Sequence, residues 1–164
     1  MKNKRQDGYA VLELIFYISF FVVLSLVVIG AMITMAKSFR ETSIQAEYAQ
    51  SGSMMERISR EIRGSYDIDP TSTTTDLKLN TKDDVGADKT VEFLFSAPNI
   101  QLLENSSLVG NLNTPNIVVT DLTFTQITTT EGKAIRILLT FRSSNDASNR
   151  VIDFYDTVVL RGSY

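Results

Sequence analysis

Hydrophobic and polar positions are arranged along this chain in three successive textures. Residues 14–36 form a run of 23 without a single charge, apolar all the way round, the pattern of a helix that has no aqueous face. From 37 to 63 the apolar positions thin to one stripe, Ile44, Tyr48, Met55, Ile58 and Ile62. Their steps of 4, 7, 3 and 4 gather on a single helix face at a period of 3.6. After Ser65 the period falls to two. Val91, Phe93 and Phe95 alternate with Glu92 and Ser96, and Leu122 and Phe124 with Asp121, Thr123 and Thr125. Ile135, Ile137, Leu139 and Phe141 make the clearest inward face, and Ile152, Phe154, Val158 and Leu160 the last.

These textures predict an α+β fold: one long N-terminal helix, spanning and then amphipathic, packed on a C-terminal antiparallel β-sheet. Uninterrupted, residues 9–63 would run roughly 80 Å. Gly64 is the expected stop, with Pro70 beyond it. Glu56 with Arg60 and Arg57 with Glu61 are i,i+4 pairs for the outer face. Residues 129–133 read as the hairpin between strands at 121–128 and 134–142, and 143–149 as the next connection. Residues 77–79 and 100–103 are the weaker strand signals. The helix stripe is the expected cover for the sheet; a coiled-coil seam, its alternative, would need more heptads than residues 37–63 supply.

Composition narrows the chemistry. There is no Cys, no His and no Trp, so thiolate nucleophiles, Ser-His-Asp triads, N/S zinc sites and disulfides are all excluded. The 164 residues carry a net charge of −3 and no Arg/Lys cluster interleaved with aromatics, which argues against nucleic acid as the main partner. No cofactor is implied.

The uncharged run is long enough to cross a hydrocarbon core of about 30 Å. Lys2, Lys4 and Arg5 precede it, which places the N-terminus in the cytoplasm and the residues after Lys37 outside. A secretory signal has an apolar core of about 7–15 residues; this run is longer, though Thr34-Met35-Ala36 is a poor cleavage site of that kind. Glu13 interrupts the apolar stretch near its start. A charge at mid-bilayer costs about 2.5–3.5 kcal/mol on insertion scales, and less at the interface, where a carboxylate reaches the headgroups.

Gly8-Tyr9-Ala10-Val11-Leu12-Glu13, behind a basic leader and ahead of an unbroken apolar helix, resembles the prepilin signature of type IV pilins and type II secretion pseudopilins. The family more often begins its mature chain with Phe and frequently has a proline in the span, near where Gly30 stands here. Gly30 fits equally a local weakness in the helix and close helix packing in lipid. The resemblance implies cleavage between Gly8 and Tyr9 by a prepilin peptidase, N-methylation of Tyr9, and pairing of Glu13 with the terminal amine of a neighbouring subunit during assembly. It divides the chain into a leader (1–8), a transmembrane half-helix (9–36), an amphipathic half-helix (37–64) and a sheet head (65–164) in a ladle-shaped fold. The C-terminal half is similar to the larger minor subunits of the J or W type, through Val118-Thr120-Leu122-Phe124 and the closing Thr157-Val158-Val159-Leu160-Arg161.

The implied function is therefore structural and not enzymatic: a minor pilin or pseudopilin, held in the inner membrane and then built into a cell-surface or periplasmic filament. Its partners would be sibling subunits, the prepilin peptidase, the inner-membrane assembly platform and membrane lipid. The alternative is an uncleaved single-pass ectodomain with a ligand-binding or adhesive role. Elsewhere, Asp83, Asp84 and Asp88 near Gly86 read as a solvated turn, with calcium as the competing reading. Asn105-Ser106-Ser107 is a glycosylation sequon of little weight. The threonine-rich tracts at 71–75 and 128–130 read as exposed loops. Asp156 breaks the last inward face, so either a bulge turns it outward, the expected case, or it faces a partner.

Overall fold

The computed structural model describes residues 4–130 and 132–161, with the side chains of residues 4–8 left aside. Of the residues expected to form a leader, Met1, Lys2 and Asn3 lie outside the described residues, as does Glu131 in the 129–133 connection. A single helix, α1 (Lys4–Gly64), is followed by eight strands, β1 to β8. The chain divides into two compact units, residues 1–43 and 44–164.

In the first unit the described residues are helical throughout, and every one from Tyr9 to Ser43 is exposed except Ser25, which is half-buried. The helix is long and apolar enough to cross a membrane. The hydroxyls of its apolar run bond within the helix. The hydroxyls of Ser19, Ser25 and Thr34 donate to the carbonyls of Ile15, Phe21 and Gly30 at 2.8, 2.8 and 3.0 Å. Such back-bonding removes most of the cost of placing a hydroxyl among lipid tails. The helix continues through Gly30, where an added Cβ would meet nothing within 4 Å.

The second unit is a helix-covered pair of sheets. β1 (Asp67–Ile68), β2 (Asp76–Lys82), β3 (Asp88–Ser96), β4 (Asn99–Glu104) and β5 (Ser107–Asn111) form a five-stranded antiparallel sheet. β6 (Ile117–Thr128), β7 (Lys133–Ser143) and β8 (Val151–Val159) form a three-stranded one. Within each, every strand pairs with the next in sequence. The expectation of one sheet is thereby corrected to two. The break has a local cause: β5 turns no apolar side chain inward, so it ends its sheet, and Pro115 lies in the link that follows. Buried Asn113 closes the junction, accepting from the Ile100 N–H at 3.0 Å and donating to the Ile117 carbonyl at 2.8 Å.

The inward faces are those the alternation predicts. Ile135, Ile137, Leu139 and Phe141 are fully buried, with Leu77, Leu79, Val91, Phe93, Leu122 and Phe124 around them. From the helix, Met54, Met55, Ile58 and Ile62 enter the same core, with Tyr48 packed against it. Each fully buried Ile contributes about 1.5–3 kcal/mol relative to exposure. The core rests on a stripe that also includes buried Glu47, Ser51 and Ser59, which a reading of apolar residues alone passes over.

The helix ends at Gly64, where the sequence predicts its stop, and Ser65 closes it, its N–H and hydroxyl both donating to the Ile62 carbonyl. Two other local expectations are corrected. The Glu56–Arg60 and Arg57–Glu61 pairs form no ion contact among the described residues, where the ion pairs instead include Lys89–Glu104, Lys133–Asp67 and Arg150–Asp146. The register of β7 on β8 runs unbroken through Asp156; the irregularity lies on β6, between Val119 and Asp121. That slip puts Val119 and then Leu122 inward, leaving Thr120 outside.

Candidate functional site

Two places carry chemistry beyond packing. The first is the start of α1. Gly8, Tyr9 and Glu13 all lie in the helix, and the four-residue step brings Tyr9 and Glu13 onto one face. The next position on that face is Tyr17, whose hydroxyl donates to Glu13 Oε1 at 2.9 Å. Tyr9 is 79% exposed and its neighbours Val11, Leu12 and Leu14 are exposed as well. The result is one carboxylate on an otherwise apolar rod, with one phenol bonded to it and its remaining acceptor positions open to another molecule. The sequence reading singled out Glu13 and missed Tyr17, although the i,i+4 spacing was there to read.

The second place is the connection between β7 and β8. Asp146 is buried and accepts from Arg150 Nε at 2.7 Å, from the Ser148 N–H at 2.9 Å and from the Arg150 N–H at 3.2 Å. The Arg150 guanidinium and these amide donors pull its carboxyl down to about 2. Glu47 on the helix reaches the same connection: its carboxylate accepts from Ser143 Oγ, and from Asn145 Nδ2 at 2.7 Å. Together they clasp residues 143–150 to the helix. This is a structural latch, since its acceptors are filled from within. The pattern of apolar residues gave no sign of it.

The remaining candidates resolve individually. Asp83 accepts from the N–H groups of Val85 and Ala87 at 3.0 and 2.8 Å, capping its own turn beside left-handed Gly86. Asp88 accepts from the Tyr66 hydroxyl at 3.2 Å, and burial together with the Asp88 charge raises the Tyr66 phenol above its ordinary value. Among the described residues no group of three or more Asp, Glu, His or Cys is placed to hold a metal ion. Asn105 and Ser106 occupy the left-handed region and form the tight turn between β4 and β5. Thr74 of the 71–75 tract accepts from the Phe124 N–H at 2.7 Å, and Thr75 from the Phe95 N–H at 2.9 Å, so that segment ties the two sheets together. Asp156 faces the helix: its Oδ2 accepts from Ser59 Oγ at 2.6 Å and its Oδ1 from the Thr157 N–H at 2.8 Å. The expected outward bulge is replaced by an inward carboxylate with a hydroxyl to meet it.

No protein-family model, no curated protein and no solved structure matches this chain.

Proposed function

We propose that the chain is a pilin-like filament subunit, a minor pilin or pseudopilin of the J or W type, with a ladle-shaped fold and no enzymatic activity. Its leader, residues 1–8, is removed after Gly8 by a prepilin peptidase, and the new terminus at Tyr9 is methylated. Before assembly the helix holds it in the inner membrane with its N-terminus cytoplasmic. The assembly platform then moves it into a filament, where Glu13 meets the terminal amine of a sibling subunit.

The observation that carries this reading is that Glu13 is the single charge between Tyr9 and Ala36 on a helix whose sides are otherwise apolar and exposed. Lipid and the packed interior of a filament are both apolar, so transfer between them changes little for the hydrophobic side chains. A carboxylate does distinguish the two, because an amine that pairs with it offsets the desolvation it otherwise suffers. Loss of the leader removes three basic residues and one acidic one, moving the chain from −3 to −5, and creates that amine.

The test is the N-terminus of the protein recovered from its native membrane, read by intact mass and terminal sequencing. A chain beginning at methylated Tyr9 is expected, with Gly8→Val leaving the leader in place. Glu13→Ala should be processed normally and fail to join filaments. A working protein that begins at Met1 overturns the reading in favour of the uncleaved ectodomain. Normal assembly of the Glu13→Ala variant overturns the role given to the carboxylate.

A further inference from the structure

Among the described residues β8 is the outer strand of its sheet and pairs only with β7. Natural edge strands are blunted by Lys, Pro, bulges or short length. β8 is 9 residues long, without Lys, Arg or Pro, and in unbroken register; its only charges are Asp153 and Asp156, which repel an acidic strand and admit a basic one. Leu160 donates to the Lys133 carbonyl at 3.0 Å, and residues 133 and 160 continue the β7–β8 register. Antiparallel alternation then turns the even-numbered residues of β8 toward β7. The backbone groups of Val151, Asp153, Tyr155, Thr157 and Val159 therefore point off the sheet. The Thr157 N–H is held by Asp156 instead of by a strand, as that geometry requires. Val151, Tyr155 and Val159 are 56%, 71% and 49% exposed.

A groove of about 380 Å³ runs along this edge, between it and the helix. Gly52, Met55, Glu56 and Ser59 form the helix side, and Asp153, Phe154, Tyr155 and Asp156 the strand side. Gly52 leaves that side low, for an added Cβ would meet nothing within 4 Å. The lining holds three carboxylates and no cation, together with the apolar surfaces of Met55, Phe154 and Tyr155. We propose that the β8 edge and this groove take up an extended segment of another protein as a fourth strand, one that alternates apolar and basic side chains. Main-chain bonds to Asp153 and Tyr155 would hold it, and Glu56, Asp153 and Asp156 would select its charge. A second copy of this chain does not fit the description, because its own edge strands β1, β5, β6 and β8 contain no Lys or Arg. The inference rests on residues 44–164 alone and is independent of the filament reading.

The test uses the full chain in detergent micelles with two nine-residue peptides, one alternating valine with lysine and one valine with glutamate. Amide exchange is followed residue by residue. The lysine peptide should slow exchange at Asp153 and Tyr155 at least tenfold, while the glutamate peptide leaves both unchanged. Tyr155→Pro should abolish the slowing, since an edge N–H can be lost without breaking the β7–β8 ladder; slow exchange at Ile137 certifies that the sheet is intact. If that variant does not fold, Glu56→Lys combined with Asp153→Lys carries the test and should exchange the preference of the two peptides. Absence of slowing, equal slowing by both peptides, or slowing that survives these variants overturns the proposal.

Discussion

Residues 9–43 and 44–64 belong to one helix, yet the same residue types meet opposite fates in them. Ile15 and Ile29 are 59% and 53% exposed, whereas Ile58 and Ile62 are fully buried. Side-chain hydrophobicity does not separate them; distribution around the axis does. An all-round apolar surface cannot be hidden by a sheet that touches one face, while a stripe can. Truncation at the two places should break the comparison most sharply. Ile58→Ala is expected to destabilise the head by about 2–5 kcal/mol, the transfer term plus an unfilled cavity. Leu24→Ala, an equally drastic loss of apolar surface, should leave head unfolding unchanged. Denaturant unfolding of the full chain in micelles, followed by near-ultraviolet circular dichroism, distinguishes them. Equal losses for the two substitutions would mean that residues 9–43 support the head.

The two halves also differ in what could be read from residues alone. The stripe and the inward faces of β3, β6, β7 and β8 were legible because each follows a strict period over several residues, and the helix before them because its apolar run is unbroken. β1 and β5 were not: one is 2 residues long and the other turns nothing apolar inward, so neither leaves a period. The split into two sheets was hidden for the same reason. At the candidate sites, Glu13 stood out because it is a charge in apolar surroundings. Glu47, a carboxylate just as buried as the stripe around it, did not, because polar residues around it disguise a core position as a surface one. Its donors Ser143 and Asn145 lie almost a hundred positions away, beyond any local pattern.

Acid should separate the halves more gently. The Asp146 carboxyl is depressed in the folded chain from 3.8 to about 2, so the folded state favours its ionised form. That contribution is complete above pH 4, the ordinary carboxyl range, and is lost as pH falls through about 2. Between pH 4 and 2, exchange at the Ser148 and Arg150 amides should accelerate relative to the amides of β7, after correction for intrinsic rates. Asp146→Asn should flatten that dependence. Acceleration that persists unchanged in Asp146→Asn would show that the effect does not come from Asp146.

The smallest expected effect concerns the bond the residue pattern passed over. If Tyr17 serves Glu13 by donating to it at 2.9 Å, then its value must depend on Glu13. A side-chain hydrogen bond within a membrane averages about 0.6 kcal/mol in double-mutant cycles, equivalent to a factor of about three in an equilibrium constant. Tyr17→Phe should therefore lower the insertion equilibrium of residues 9–36 about threefold while Glu13 is present. With Glu13→Ala it should cost nothing, because the phenol then has no carboxylate to meet. Head unfolding, which responds to Ile58, should stay unchanged in every arm of the cycle. A Tyr17→Phe effect of the same size in both backgrounds would make the phenol an interfacial anchor instead. Glu13 would then enter the bilayer with no donor from its own chain, and any compensation for its charge would have to come from another molecule.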